Sequence, residues 1–121
     1  MVEHNPTGKH ILIDIDNAEY KYLNNEIIIV DMLDAMCRMS GATEICKIIK
    51  KFSPQGITAL LLLEESHISI HTYPEFKKAY IDIFTCGSNA DPISAVVLAT
   101  EFLGGVISER RDIPRGVKFG K

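Results

Sequence analysis

Twelve consecutive residues, Glu64 to Glu75, read Glu-Glu-Ser-His-Ile-Ser-Ile-His-Thr-Tyr-Pro-Glu and hold three carboxylates, two imidazoles and four hydroxyls directly after the apolar run Ala59 to Leu63. A thiol, Cys86, closes Phe84-Thr85-Cys86-Gly87 downstream. Nucleophile, base and acid are therefore all on offer. A metal pair of His67 and His71 is the first chemistry to weigh. On a strand these residues lie roughly 13 Å apart, too far for two donors that must each be about 2 Å from one zinc ion. A His71 and Cys86 pair has no third or fourth ligand in the sequence, so no metal is expected. A serine hydrolase built on Ser66 is the second. Glu65-Ser66-His67 has no G-x-S-x-G elbow, and an antiparallel sheet does not supply the strand-to-helix turn that motif needs. The plain alternative is that Ser66 caps a turn and the histidines are ordinary surface or core groups. Against it, Glu64 to His67 is a polar break between two strongly patterned strands, and Cys86 ends a neighbouring strand near another loop.

The patterning around that stretch predicts the elements that would carry it. Lys9 to Asp16 alternates as a half-buried strand, with Ile11, Ile13 and Ile15 on one face. Residues 17 to 23 read as a polar connection. Asn24 or Asn25 caps a helix to about Ser40, which Gly41 stops, with Ile29, Met32, Leu33 and Met36 at helical spacing. Ala42 to Phe52 reads as a second strand, closed by Ser53-Pro54-Gln55-Gly56. The third, Ile57 to Leu63, is apolar on both parities, the mark of a strand covered on both faces. His67 to Tyr73 alternates strictly, and Pro74 ends it. Ala79 to Cys86 puts Tyr80, Asp82, Phe84 and Cys86 on one parity. Gly87 to Ala90 form a loop, Asp91-Pro92 opens a helix to Leu103, and Val106 to Arg111 is a last strand. Short links among the central strands imply hairpins. The fold class is α+β, a two-layer sandwich with a largely antiparallel sheet of about six strands and two helices on one face. The helices can cover only that face, so a second copy is expected on the other.

Length and composition allow one domain, residues 1–121, and exclude several functions. The chain is 46% hydrophobic and 24% charged, as a globular protein is. A net charge of -3 argues against a general nucleic-acid binder, and the basic tail of Arg110, Arg111, Arg115, Lys118 and Lys121 reads as solvated surface. No stretch is apolar enough for a membrane span or a signal peptide, so the expected location is the cytoplasm. Cys37, Cys46 and Cys86 are odd in number and lack C-x-x-C spacing, which argues against disulfides and zinc knuckles. Cys37, Cys46, Met32 and Met36 are expected to be packing residues.

Glu65 to Glu75, with Asp82-Ile83-Phe84-Thr85-Cys86-Gly87, closely resembles the short prokaryotic S-adenosylmethionine decarboxylase proenzymes. Gly8-Lys9-His10, Ser40-Gly41-Ala42 and Phe52-Ser53-Pro54-Gln55-Gly56 sit where that family has similar words, so the resemblance runs from about Gly8 to the last strand. It implies a pyruvoyl enzyme that makes its own cofactor. Ser66 Oγ would attack the carbonyl of Glu65, and His71 would take the α-proton of residue 66. Elimination then yields a β chain of residues 1–65 and an α chain, 66–121, that begins with the pyruvoyl group. Decarboxylation needs an electron sink, which no ordinary side chain provides and a pyruvoyl ketone does. Cys86 matches the family's proton donor, and Phe52, Tyr73 and Glu75 match the residues that hold adenine and ribose. The implied product is the aminopropyl donor for spermidine, made by a homodimer with helices outside two facing sheets. Two departures stand out: Tyr73 where the family usually has tryptophan, and Thr58 where it often has serine. They leave open a pyruvoyl arginine or ornithine decarboxylase, while a non-catalytic dimeric module that has lost processing is the alternative outside enzymes.

Overall fold

The computed structural model describes residues 6–86 and 92–116. Six strands form one antiparallel sheet: β1 (Gly8–Asp16), β2 (Glu44–Lys51), β3 (Ile57–Leu63), β4 (Ser66–Tyr73), β5 (Lys78–Cys86) and β6 (Val106–Arg115). Their order is β2-β3-β4-β5-β1-β6, so four consecutive strands make a meander and β1 lies between β5 and β6. Helices α2 (Glu26–Ser40) and α3 (Pro92–Leu103) pack against one another over one face of the sheet.

Alternation decides which face is buried. Ile11, Ile13, Ile15, Ile57, Leu61, Leu63, Ile68, Ile70, Ile81 and Ile83 meet Ile29, Met32, Leu33, Met36, Ala95, Val96, Ala99 and Leu103 in one core. Each large aliphatic side chain enclosed there contributes about 1.5–3 kcal/mol of transfer free energy. Met32 and Met36 are fully buried, in line with their expected packing role. Cys37 is buried too, its thiol donating to the carbonyl of Ala42 at 3.4 Å, and burial pushes that thiol's pKa up.

Asn25 is the cap of α2, its side-chain oxygen accepting from the Ile28 N–H at 3.1 Å. Asn24 instead reaches across to the loop before β3, accepting from the Gly56 N–H at 3.0 Å. Gly41 ends the helix at φ 75°, a conformation that disfavours side chains.

Cys46 is exposed on β2 rather than packed, and three local features of the backbone also differ from the sequence expectation. Residues 17–23 are not only a connection, because Tyr20–Leu23 forms a one-turn helix, α1. Four residues with one buried side chain, Leu23, are too few to show a period. Pro74–Phe76 is a turn of 3₁₀ helix, and β6 runs on to Arg115. The expected loop Gly87 to Ala90 and the cap Asp91 lie outside the described residues, as do Lys118 and Lys121.

Among the described residues, the second face of the sheet carries no helix. Leu12, Ile48, Leu60, Leu62, Tyr80 and Ile113 stand on it, all between 37% and 61% exposed. The two-sided apolar pattern of β3 thus has one side in the core and one on this open face. Among the described residues no helix is long and apolar enough to cross a membrane.

Candidate active site

β4 organises the reactive groups. It pairs with β3 from Ser66↔Leu63 to His71↔Thr58, and with β5 from His67↔Phe84 to Tyr73↔Lys78, without a register shift. Ser66 and His71 differ by an odd number of residues and would face opposite sides of a regular strand, which calls for a break or bulge at or near Ser66, or for a histidine acting across a fold in the backbone. The structure places the break one residue earlier. Glu64 and Glu65 form the hairpin turn, Glu65 at φ 59°, and Ser66 opens a regular strand. A two-residue turn between antiparallel strands needs positive φ, and here a non-glycine residue adopts it.

Ser66 shares its parity with the buried Ile68, Ile70 and Thr72 on the helix side, whereas His67, Ser69, His71 and Tyr73 stand on the open face. His71 lies five residues along an unbroken strand, roughly 16 Å away. A single chain therefore does not bring Ser66 and His71 together.

Cys86 is at the Ser66 end. It closes β5 opposite Gly8 of β1, and its Sγ lies 3.7 Å from the carbonyl of Thr7. Gly8 is needed there, because a Cβ would come within 2.7 Å of the Thr85 carbonyl oxygen and 3.0 Å of the Phe84 ring. Cys37, Cys46 and Cys86 form no disulfide.

The other end of β4 gathers the remaining candidates. A cleft of about 260 Å³ is lined by Phe52, Thr58, His71, Tyr73 and Glu75, together with Gln55 and Gly56. The loop bearing Phe52 is held in several places. Phe52 N–H donates to the Gly56 carbonyl at 2.8 Å, Asn24 holds Gly56, and the Tyr20 hydroxyl donates to Gln55 at 3.4 Å. The one-turn helix that the sequence did not reveal thus helps to fix a wall of the cleft. His71 Nδ1 lies 3.0 Å from Thr58 Oγ1. When Nδ1–H donates to that oxygen, Nε2 carries the lone pair of a base.

Two groups went unassigned from sequence. Tyr80, opposite His71 on β5, packs its ring 5.3 Å from that of Tyr73 at a tilt of 54°. Its open-face parity was visible, but its neighbour was not. The second group centres on Asp82. His10 Nε2 and His67 Nε2 approach one carboxylate oxygen at 2.7 and 2.9 Å, and Ser69 Oγ donates to the other. Burial alone would raise the Asp82 pKa, but the hydrogen bonds of Ser69, His10 and His67 outweigh it and hold the carboxyl below its usual value.

His10, His67 and Asp82 are close enough for a metal ion. The tautomer points elsewhere. Arg115 Nη1 lies 3.1 Å from His10 Nδ1, and a guanidinium can only donate, so neutral His10 carries its proton on Nε2, facing Asp82. The set is a hydrogen-bonded network. Arg115, expected to be solvated, belongs to it, and Arg110 pairs with Asp112.

The chain matches the family model described as S-adenosylmethionine decarboxylase over residues 9–116. It is 41% identical over 109 residues to the S-adenosylmethionine decarboxylase proenzyme of Methanococcus aeolicus, covering 90% of this chain and 93% of that protein. It is 38% identical to the proenzyme of Symbiobacterium thermophilum, covering 90% and 83%. Among solved structures it resembles the adenosylmethionine decarboxylase from Aquifex aeolicus, with a TM-score of 0.81, 27% identity and 97% of each chain covered.

Proposed function

The chain belongs to the S-adenosylmethionine decarboxylase family, and we propose that it cuts itself between Glu65 and Ser66 and then decarboxylates S-adenosylmethionine on the pyruvoyl group so formed. The observation that carries this reading is the place of the bond. Glu65–Ser66 joins a left-handed turn residue to the first residue of a strand, and the ladders hold Leu63 on one side and His67 on the other. Cutting there releases neither strand. The residues fit a pyruvoyl group generated in place, since its precursor Ser66 sits at the same sheet end as Cys86.

In the cleavage, Ser66 Oγ bonds to the Glu65 carbonyl carbon as its proton leaves, and the C–N bond breaks as the nitrogen takes up a proton. His71 Nε2 is the base that removes the α-proton of residue 66, and the Glu65 carboxylate departs as the ester opens. Water then replaces the nitrogen of residue 66, which leaves as ammonia. The pyruvoyl ketone supplies the electron sink for loss of carbon dioxide. Phe52 and Tyr73 offer rings to the adenine and Glu75 offers its carboxylate to the ribose hydroxyls. Cys86 returns a proton to the α-carbon, which suits a thiol with an unperturbed pKa near 8.5.

His71 cannot reach residue 66 of its own chain along a straight β4. A homodimer with two open faces in contact removes that obstacle, since the second copy can bring its His71 end to the first copy's Ser66 end. The exposed Leu60, Leu62 and Ile48 support such packing. We therefore read the working form as a homodimer of processed chains, 1–65 and 66–121, in the cytoplasm, with a small-molecule substrate. The test is carbon dioxide release from labelled S-adenosylmethionine, arginine and ornithine. Release from the first alone is expected, and release from either amino acid instead would refute the substrate assignment.

A further inference from the structure

Among the described residues, one buried side-chain polar atom has no hydrogen-bond partner: the hydroxyl of Thr85. The other buried polar side chains are satisfied. Thr72 Oγ1 accepts from the Ile57 N–H at 2.9 Å, and Ser40 Oγ donates to the Cys37 carbonyl at 2.8 Å. Thr85 is only 2% exposed, so its hydroxyl is shut off from bulk solvent. A buried, unpaired hydroxyl costs stability, while a valine of the same shape carries no such penalty. Its presence calls for a use.

Its position suggests one. The β4–β5 ladder ends at His67↔Phe84, which makes Ser66 and Thr85 the next facing positions. Both lie on the helix-side parity, with Ile68 and Ile70 in β4 and Ile81 and Ile83 in β5. Side chains facing one another across antiparallel strands have Cβ atoms about 4.5–5.5 Å apart. The orphan hydroxyl thus stands beside the residue at which the chain is cut.

We infer that Thr85 is the hydrogen-bond donor to the Glu65 carbonyl oxygen as Ser66 attacks it. The inference rests on the self-cleavage proposed above. In that step the Ser66 Oγ–C bond forms, the carbonyl π electrons move onto oxygen, and the oxyanion collapses as the C–N bond breaks. A donor without a partner in the resting chain, and with one when charge develops, acts only on the transition state. That is the condition for accelerating a reaction rather than merely binding its starting state. Thr85 neither gains nor loses a proton overall.

The test compares Thr85→Val and Thr85→Ser in the full chain, following conversion to fragments by intact mass and unfolding by thermal melt. Thr85→Val is expected to melt no lower than wild type and to cleave about 100- to 1,000-fold more slowly, as when one oxyanion donor is removed. Thr85→Ser should restore most of the rate. The first step can be isolated in a His71→Ala background, where the ester accumulates and hydroxylamine cuts it. There Thr85→Val should suppress the hydroxylamine-sensitive product. Cleavage of Thr85→Val within about threefold of wild type, a difference near RT, would overturn the inference. So would slow cleavage that accompanies a lower melting temperature and is not rescued by serine. An uncut wild-type chain would instead sink the self-cleavage reading along with it, which keeps the two failures distinct.

Discussion

At its first residue β4 follows the Glu64–Glu65 turn, with Ser66 facing the helix layer and Cys86 closing the adjacent strand; at its last, Tyr73 stands on the open face among Phe52, Tyr80 and Glu75. The first end is defined by backbone: a positive φ, the end of a ladder, and a glycine that lets β1 close on β5. The second is defined by side chains: a cleft with aromatic walls and an imidazole held by a threonine. On the proposed reading, bond-making chemistry belongs to the first end and recognition to the second. One strand of eight residues keeps them apart.

The comparison breaks first at Ser66. Ser66→Ala is expected to abolish cleavage and turnover altogether, as intact mass and carbon dioxide release would show. His71→Ala should also stop cleavage, yet from the opposite end of the strand. If the two ends meet across a dimer, chains carrying Ser66→Ala and His71→Ala should complement one another when co-expressed. The His71→Ala chain, which keeps its serine, would be the one cut; no cleavage in the mixture would show that the ends act within one chain.

Cys86→Ala should leave cleavage intact while lowering turnover by about 100- to 10,000-fold, the usual contribution of a positioned proton donor. Full activity in that variant would remove Cys86 from the chemistry. Tyr73→Ala, at the recognition end, should raise KM by about fivefold or more with little change in kcat, since one stacked base contributes about 1–3 kcal/mol. An equal fall in kcat and kcat/KM would instead place Tyr73 in the transition state.

The smallest effect lies between the two ends. Asp82 has a folded-state pKa below its usual 3.8. Its network therefore stabilises the fold fully above that usual value and loses the contribution as pH falls through the lowered one. Thermal melts of wild type and Asp82→Asn should differ most near neutral pH and converge in acid. A gap that widens in acid would reverse the sign.

What was legible in the sequence divides along the same line. The alternation of Ile68, Ile70 and Thr72 against His67, Ser69 and His71 gave β4 its faces, and the two-sided apolar pattern of Ile57 to Leu63 pointed to the open face. Periodicity reports a face, not a neighbour across it. It could not show that Asp82 collects His10 and His67 from two other strands, that Tyr80 backs Tyr73, or that Arg115 reaches His10. The break expected at Ser66 was one residue out, because parity separates Ser66 from His71 but does not say which residue makes the turn. Helix α1 escaped because one turn carries no period, although its Tyr20 hydroxyl reaches the loop beside Phe52.

The central claim is that Glu65–Ser66 is a bond made to be broken. Intact mass under denaturing conditions tests it most directly. The expected result is two fragments, residues 1–65 and 66–121, the second lacking an amino terminus and carrying a ketone that reacts with hydrazines. A single uncut chain of 121 residues, unreactive toward hydrazines, would contradict it.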